Sequence, residues 1–139
     1  MAVSNHEFQV ASKGYCDLID VTDEVQNAVG RSGLKDGVVT VFVPGATAGV
    51  TTVEYEPGLI SDLKAAFERL VPRDTAYAHD SRWGDGNGFS HVRASLLGAS
   101  LSVPFSRGTL TTGTWQQIIV IDFDNRPRRR RVVVQVMGE

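Results

Sequence analysis

His79, Asp80, Asp85, Asn87, His91 and Arg93 fall within one short stretch, HDSRWGDGNGFSHVR. Imidazole is the commonest metal ligand, and its proton exchanges near neutral pH, so two histidines beside two carboxylates suggest a metal site or an acid–base pair. His79 and His91, completed by Asp80, Asp85 or Glu54, would make a two-histidine, carboxylate site suited to a divalent ion such as zinc or magnesium. The spacing of the histidines fits no single helix, so a loop must fold back to join them. The competing explanation is ordinary: histidine pairs are more often structural or simply exposed. His6, in the terminal segment, is expected to be solvated.

Gly84-Asp85-Gly86-Asn87-Gly88 is a second feature. Alternating glycines open backbone conformations closed to other residues, and successive N–H groups can then cradle an anion. A helix start follows, and Arg93 lies in its first turns, so a phosphate is a natural ligand. The spacing matches neither a P-loop nor a dinucleotide fingerprint, and a plain flexible turn explains the glycines equally well. Thr111, Thr112, Thr114, Gln116 and Gln117 bring neutral hydrogen-bonding groups to a strand start, with core packing the ordinary role for Trp115. Four arginines, Arg128 to Arg131, resemble a nucleic-acid patch. They enter a strand, however, so alternate side chains point to opposite faces, and no aromatic platform is interleaved. Pairing with acidic neighbours or another subunit is the expected role.

These residues need a scaffold. Phe8 and Val10 alternate with polar neighbours as an opening strand. Thr22 is placed to cap a helix reaching Arg31, with Val25, Ala28 and Val29 on one face. Val38–Val43 is a β-branched apolar run expected to be buried on both faces, and residues 51–55 form another strand. Pro57 opens a helix whose apolar side carries Leu59, Ile60, Leu63, Ala66, Phe67 and Leu70. Residues 73–88 read as a long polar loop, the kind that is usually functional or mobile. Ser90 would cap a short helix to Leu97. Alternation at Leu101, Val103 and Phe105 and strong strands at 117–124 and 131–137 follow, the last two expected to pair as a hairpin through Asn125-Arg126-Pro127. The order predicts an α+β domain over 1–139, a mostly antiparallel sheet or sandwich with two longer helices and one short one.

At 139 residues, one domain with a real core is expected. A net charge of −2 gives no field that would attract nucleic acid. No apolar run approaches a membrane span, and MAVSNHEF has no signal-peptide pattern. One cysteine, Cys16, excludes an internal disulfide and fits a reducing compartment. A cytoplasmic protein without nucleic-acid or membrane partners is therefore expected.

In order and spacing, ATAGVTTVE, FERLVP, YAHD, WGDGN, HVRASLLG, GTWQQ and PRRRRVVVQVMG resemble the YjbQ (UPF0047) family, also called secondary thiamine-phosphate synthase-like. The resemblance runs from about residue 5 to the C-terminus. It implies a compact α+β domain assembled as a homotrimer. It also implies weak thiamine-phosphate synthase activity, in which a thiazole phosphate displaces pyrophosphate from a pyrimidine diphosphate. The family's histidines map onto His79 and His91. Where the family commonly reads His-Thr-Thr-Ala-Gly, this chain has Gly45-Ala46-Thr47-Ala48-Gly49, so one histidine position is glycine. That departure disfavours a three-histidine metal site. It opens a rival expectation, a non-catalytic trimer that binds a phosphorylated small molecule. The lysine often found before the Ser-Leu-Leu segment is Arg93. The expected site thus comprises His79, His91 and Glu54 for catalysis. Thr47, Asp85, Gly86, Asn87, Gly88, Arg93, Ser95, Trp115 and Gln116 would bind the substrate or its anion, and His79, His91 and Asp80 would hold a metal.

Overall fold

The computed structural model describes residues 1–139. In chain order its elements are β1 (Ala2–Ser12), β2 (Asp17–Asp20), α1 (Thr22–Ser32), β3 (Gly37–Phe42), β4 (Ala48–Val53), α2 (Pro57–Leu70), α3 (Ala78–Trp83), α4 (Gly88–Leu97), β5 (Ser100–Ser106), β6 (Thr109–Leu110), β7 (Gln117–Asp122) and β8 (Arg128–Gly138). The strands make two antiparallel sheets. One runs β1-β8-β3-β5-β6 and the other β2-β7-β4. The α+β expectation holds.

The layering follows from β7. Its residues Ile118, Ile119, Val120 and Ile121 are all fully buried. Successive side chains of a strand point to opposite faces, so burying all four requires cover on both sides. Ile118 and Val120 face the larger sheet, where they join Val39, Val41, Val132, Val134 and Val136, with Val25 and Val29 of α1. Ile119 and Ile121 face the opposite way, onto Phe123, Ala94 of α4 and the apolar stripe Ile60, Leu63 and Phe67 of α2. The result is three layers: large sheet, small sheet, helices.

Several sequence expectations need correction. The strand buried on both faces is β7, not 38–43; in β3, Val39 and Val41 are buried while Phe42 is exposed. The segments 117–124 and 131–137 do not form a hairpin. β7 and β8 lie in different sheets, and the turn at Asn125-Arg126-Pro127 carries the chain from one sheet to the other. The strand expected at 51–55 is β4, beginning at Ala48 and ending at Val53. β2 was not foreseen, because four residues offer too short a pattern. The expected loop 73–88 contains α3, so there are four helices rather than three.

Helix ends were legible only in part. Pro57 does open α2, and the Glu56 carboxylate accepts from the N–H groups of Gly58 and Leu59 at 2.8 Å each. Thr22 is not a cap but the first helical residue, and its hydroxyl donates to Asp20 instead. Ser90 lies inside α4, which begins at Gly88, and its hydroxyl donates to the Phe123 carbonyl at 2.5 Å. That bond pins α4 to the end of the small sheet. No helix is long and apolar enough to cross a membrane.

Candidate functional site

Helices α3 and α4 form a tight corner at the end of the small sheet where Ala48 pairs with Asp122. The corner depends on Gly88. A Cβ there would lie 2.6 Å from Cβ of Tyr77 and 3.0 Å from the Asp80 carboxylate, so only glycine lets the helices approach. Gly84 and Gly86 turn the chain with left-handed φ values of 72° and 70°, conformations that other residues adopt at a cost. The corner brings the two histidines together: the rings of His79 and His91 have centroids 4.3 Å apart and are tilted by 36°.

Nδ1 of His79 lies 3.3 Å from the Asp85 carboxylate and 3.6 Å from that of Asp80. The alignment satisfies no hydrogen bond, and Nδ1 is buried without a partner. Oδ1 of Asn87, in the same corner, is likewise buried and unpartnered. Such orphaned atoms are rare, and an ordered water or a bound ion is what satisfies them in proteins. One ligand atom from each of His79, Asp80 and Asp85 lies within 4.8 Å of the others. An imidazole nitrogen with two carboxylate oxygens suits zinc, and magnesium less well because it prefers oxygen alone. The residues present therefore fit a divalent ion.

The expected phosphate cradle is altered by the same carboxylate. The Gly88 N–H donates to Asp80 Oδ1 at 2.8 Å. An anion at this helix start would have to displace Asp80 and sit beside Asp85 as well. Asp85 and Gly86 remain exposed in the loop, and the Asp85 carbonyl accepts from Asn125 at 2.8 Å.

A family model described as UPF0047 protein YjbQ-like matches residues 6–139. The chain belongs to this family. A UPF0047 protein from Methanothermobacter thermautotrophicus is 37% identical over 139 residues, covering 100% of this chain and 95% of the relative. One from Archaeoglobus fulgidus is 40% identical over 121 residues, 87% of this chain and 91% of the relative. Among solved structures, a YbjQ-like protein of unknown function from Sulfolobus solfataricus superposes with a TM-score of 0.89 at 28% identity, covering 99% of this chain and 100% of that one. A YjbQ/UPF0047 family protein from Clostridium acetobutylicum gives 0.87 at 34% identity, covering 95% and 99%.

In this YjbQ-like domain, His91 projects into a cleft of about 410 Å³ that Gly45, Ala46, Ala48, Ser95 and Gly98 also line. Position 45, glycine here, thus shares a cleft with His91. Ser95 donates to the His91 carbonyl at 2.8 Å. Small side chains leave room for a small organic group.

Behind the cleft lies a buried ionic network that sequence reasoning missed. Arg130, 4% exposed, donates through Nε and Nη2 to both oxygens of Asp122 at 2.7 and 2.9 Å, and through Nη2 to Thr47 at 2.6 Å. Thr47 donates to Asp124 at 3.3 Å, and Asp124 also takes Arg128 and Asn87. Burial alone would raise the Asp124 pKa; the Asn125 N–H, Asn87 and Arg128 overcome it and hold the group below its ordinary value. Thr47 is therefore a strut, not an open ligand. The signal was present: Asp122 and Asp124 alternate, as do Arg128 and Arg130. The outward Arg129 and Arg131 reach Gln9 and Glu7, so the pairing expected for this run is made within the chain.

Three expected residues lie elsewhere. Glu54, Trp115 and Gln116 cluster beyond the Val53–Gln117 end of the small sheet. That end is about 17 Å from Ala48 along β4, at ~3.3 Å per residue. Trp115 is 74% exposed and is not a core residue. Arg93 follows His91 by two positions, roughly 200° around α4, and faces away from the glycine loop. Its Nε and Nη2 donate to the Val71 carbonyl at 3.0 and 2.8 Å, and Nη2 also donates to Glu68 at 2.8 Å. His6 is half-buried on β1, 2.7 Å from the Ser4 hydroxyl. Burial and, secondarily, Arg31 lower its pKa.

Proposed function

We propose that the chain binds a divalent metal ion through His79, Asp80 and Asp85, and that His91 presents the adjacent cleft with a small phosphorylated substrate. The orphaned, buried Nδ1 of His79 between two carboxylates carries this reading. The ion, when bound, would supply positive charge toward a phosphate or a leaving diphosphate. The residues of the chain do the rest. His91 holds or moves a proton at the mouth of the cleft, the small side chains of Gly45, Ala46 and Ala48 leave the substrate its space, and the Arg130–Asp122 pair keeps the cleft wall rigid.

The specific form of this reading is a weak thiamine-phosphate synthase. A thiazole phosphate nitrogen would bond to the pyrimidine methylene carbon while the carbon–oxygen bond to pyrophosphate breaks. Turnover should be low, because Gly45 offers neither ligand nor base. The same glycine favours a second reading, a binding protein without chemistry. Oligomerisation bears on both. Trp83, Leu96 and Trp115 are exposed large apolar groups, and the site residues sit at two ends of the small sheet. A homotrimer would bury the former and could join the latter across subunit boundaries. A cytoplasmic location agrees with this chemistry.

Calorimetry and native mass spectrometry with zinc and magnesium test the reading. One zinc per chain, lost in His79→Ala and retained in His6→Ala, is expected. No zinc at tens of micromolar, or equal binding in His79→Ala, overturns it. Assay with both thiamine-phosphate precursors separates catalysis from binding. Sedimentation should give about three times the 15.1 kDa chain mass; a single-chain species rejects the trimer.

A further inference from the structure

On the face of α4 opposite His91 lies a second cleft, of about 440 Å³, lined by Tyr15, Cys16, Lys64, Glu68, Arg73 and Arg93. We infer that this cleft binds a phosphate-class oxyanion carried by a small molecule, at a site separate from the histidine corner.

Charge is the first reason. Three cations line the cleft against one carboxylate, Glu68. Even with Asp17, whose charge also reaches Cys16, cations remain in excess. Glu68 is shared: it takes Arg93 Nη2 at 2.8 Å and stands 3.6 Å from Arg73 Nε. The backbone N–H of Arg73 and then the Arg93 side chain hold its pKa down, so it stays ionised. Lys64 has no carboxylate partner within ion-pair distance.

The second reason is Arg93. Its side chain is 2% exposed, yet Nη1 donates to no group of the chain. The buried side-chain atoms without partners are His79 Nδ1 and Asn87 Oδ1 alone, so Arg93 Nη1 retains a trace of surface, and Arg93 is one of the residues lining the cleft. A guanidinium held rigidly by a carbonyl and a carboxylate, with one nitrogen left over, is a preformed donor for an oxyanion.

The third reason is the strained rim. Gly14, Tyr15 and Cys16 have successive φ values of 77°, 53° and 67°. For the two non-glycine residues this costs of order 1–3 kcal/mol each. The Tyr15 N–H to the Asp124 carbonyl, 2.7 Å, maintains it. The half-exposed Tyr15 ring lies 5.2 Å from the Arg73 guanidinium, a cation–π contact that helps orient that cation at the cleft mouth. The cleft suits a small molecule rather than a polymer.

Titration of inorganic phosphate and pyrophosphate into isotope-labelled protein, followed by amide shifts, tests the inference. Saturable shifts at Tyr15, Cys16 and Arg73 are expected. The exposed pair Lys64→Ala/Arg73→Ala should weaken binding roughly tenfold to a hundredfold, with zinc binding and melting temperature unchanged. Equal affinity in the double variant, absence of saturable binding, or shifts confined to Gly84–His91 overturns it. Because zinc is read independently, failure here leaves the histidine corner standing, and the reverse also holds.

Discussion

Replacing Gly45 by histidine should lower stability and raise metal affinity together. Gly45 has φ 116°, outside the regions open to residues with a Cβ. Holding a side chain there costs of order 1–3 kcal/mol. A Cβ would stand 3.2 Å from Arg130 Nη1. That nitrogen has little freedom to retreat, because the same guanidinium is fastened to both oxygens of Asp122. The cost therefore falls toward the upper end. For a domain of this length each kcal/mol moves the melting temperature by roughly 3–5 °C, so a drop of about 5–15 °C is expected by calorimetry. Gly45→Ala is the control, since it carries the strain without the ring. Position 45 shares its cleft with His91, so the imidazole should strengthen zinc binding over Gly45→Ala by on the order of tenfold or more, as supporting groups at metal sites do. Turnover with the thiamine-phosphate precursors should rise with it. If Gly45→Ala melts with the wild type, the strain argument is wrong. If histidine and alanine variants bind zinc equally, position 45 does not face the metal corner.

Two further outcomes concern the network behind the cleft. Asp122→Asn removes the two-point partner of the buried Arg130, leaving only the Asp124 carboxylate at 3.8 Å, and should cost about 3 kcal/mol, read as a fall in urea midpoint; a change below ~1 kcal/mol would show that the pair is not structural. Asp124 has a depressed folded pKa, so its stabilisation is complete above the unfolded value near ~3.9 and is lost as pH falls through the folded value. Wild type should therefore lose more stability than Asp124→Asn in denaturant melts taken from about pH 5 downward, and parallel loss in both proteins would refute the assignment.

The amino-acid sequence determined the local elements and their chemistry. Alternation marked β1 and β5, Pro57 marked the start of α2, and the family motifs marked the His79–His91 segment. These follow from neighbours in the chain, whose periodicity and capping chemistry act over a few residues. The meeting of His79 with His91 was legible as a need, because a loop with three glycines could close it. Tertiary structure alone decided the rest. β7 and β8 resemble a hairpin in sequence, yet three layers must each cover an apolar face, and that places them in different sheets. Arg93 lies two residues from His91, but a helix turns roughly 100° per residue, which sends its side chain to another cleft. Glu54 and Gln116 share motifs with the site, but the length of β4 holds them at its far end. Trp115 has the size and apolarity of a core residue, yet it stands 74% exposed in the turn that precedes β7. Residue type and spacing can name the groups able to do chemistry; which of them share a site depends on the direction each backbone segment takes after folding.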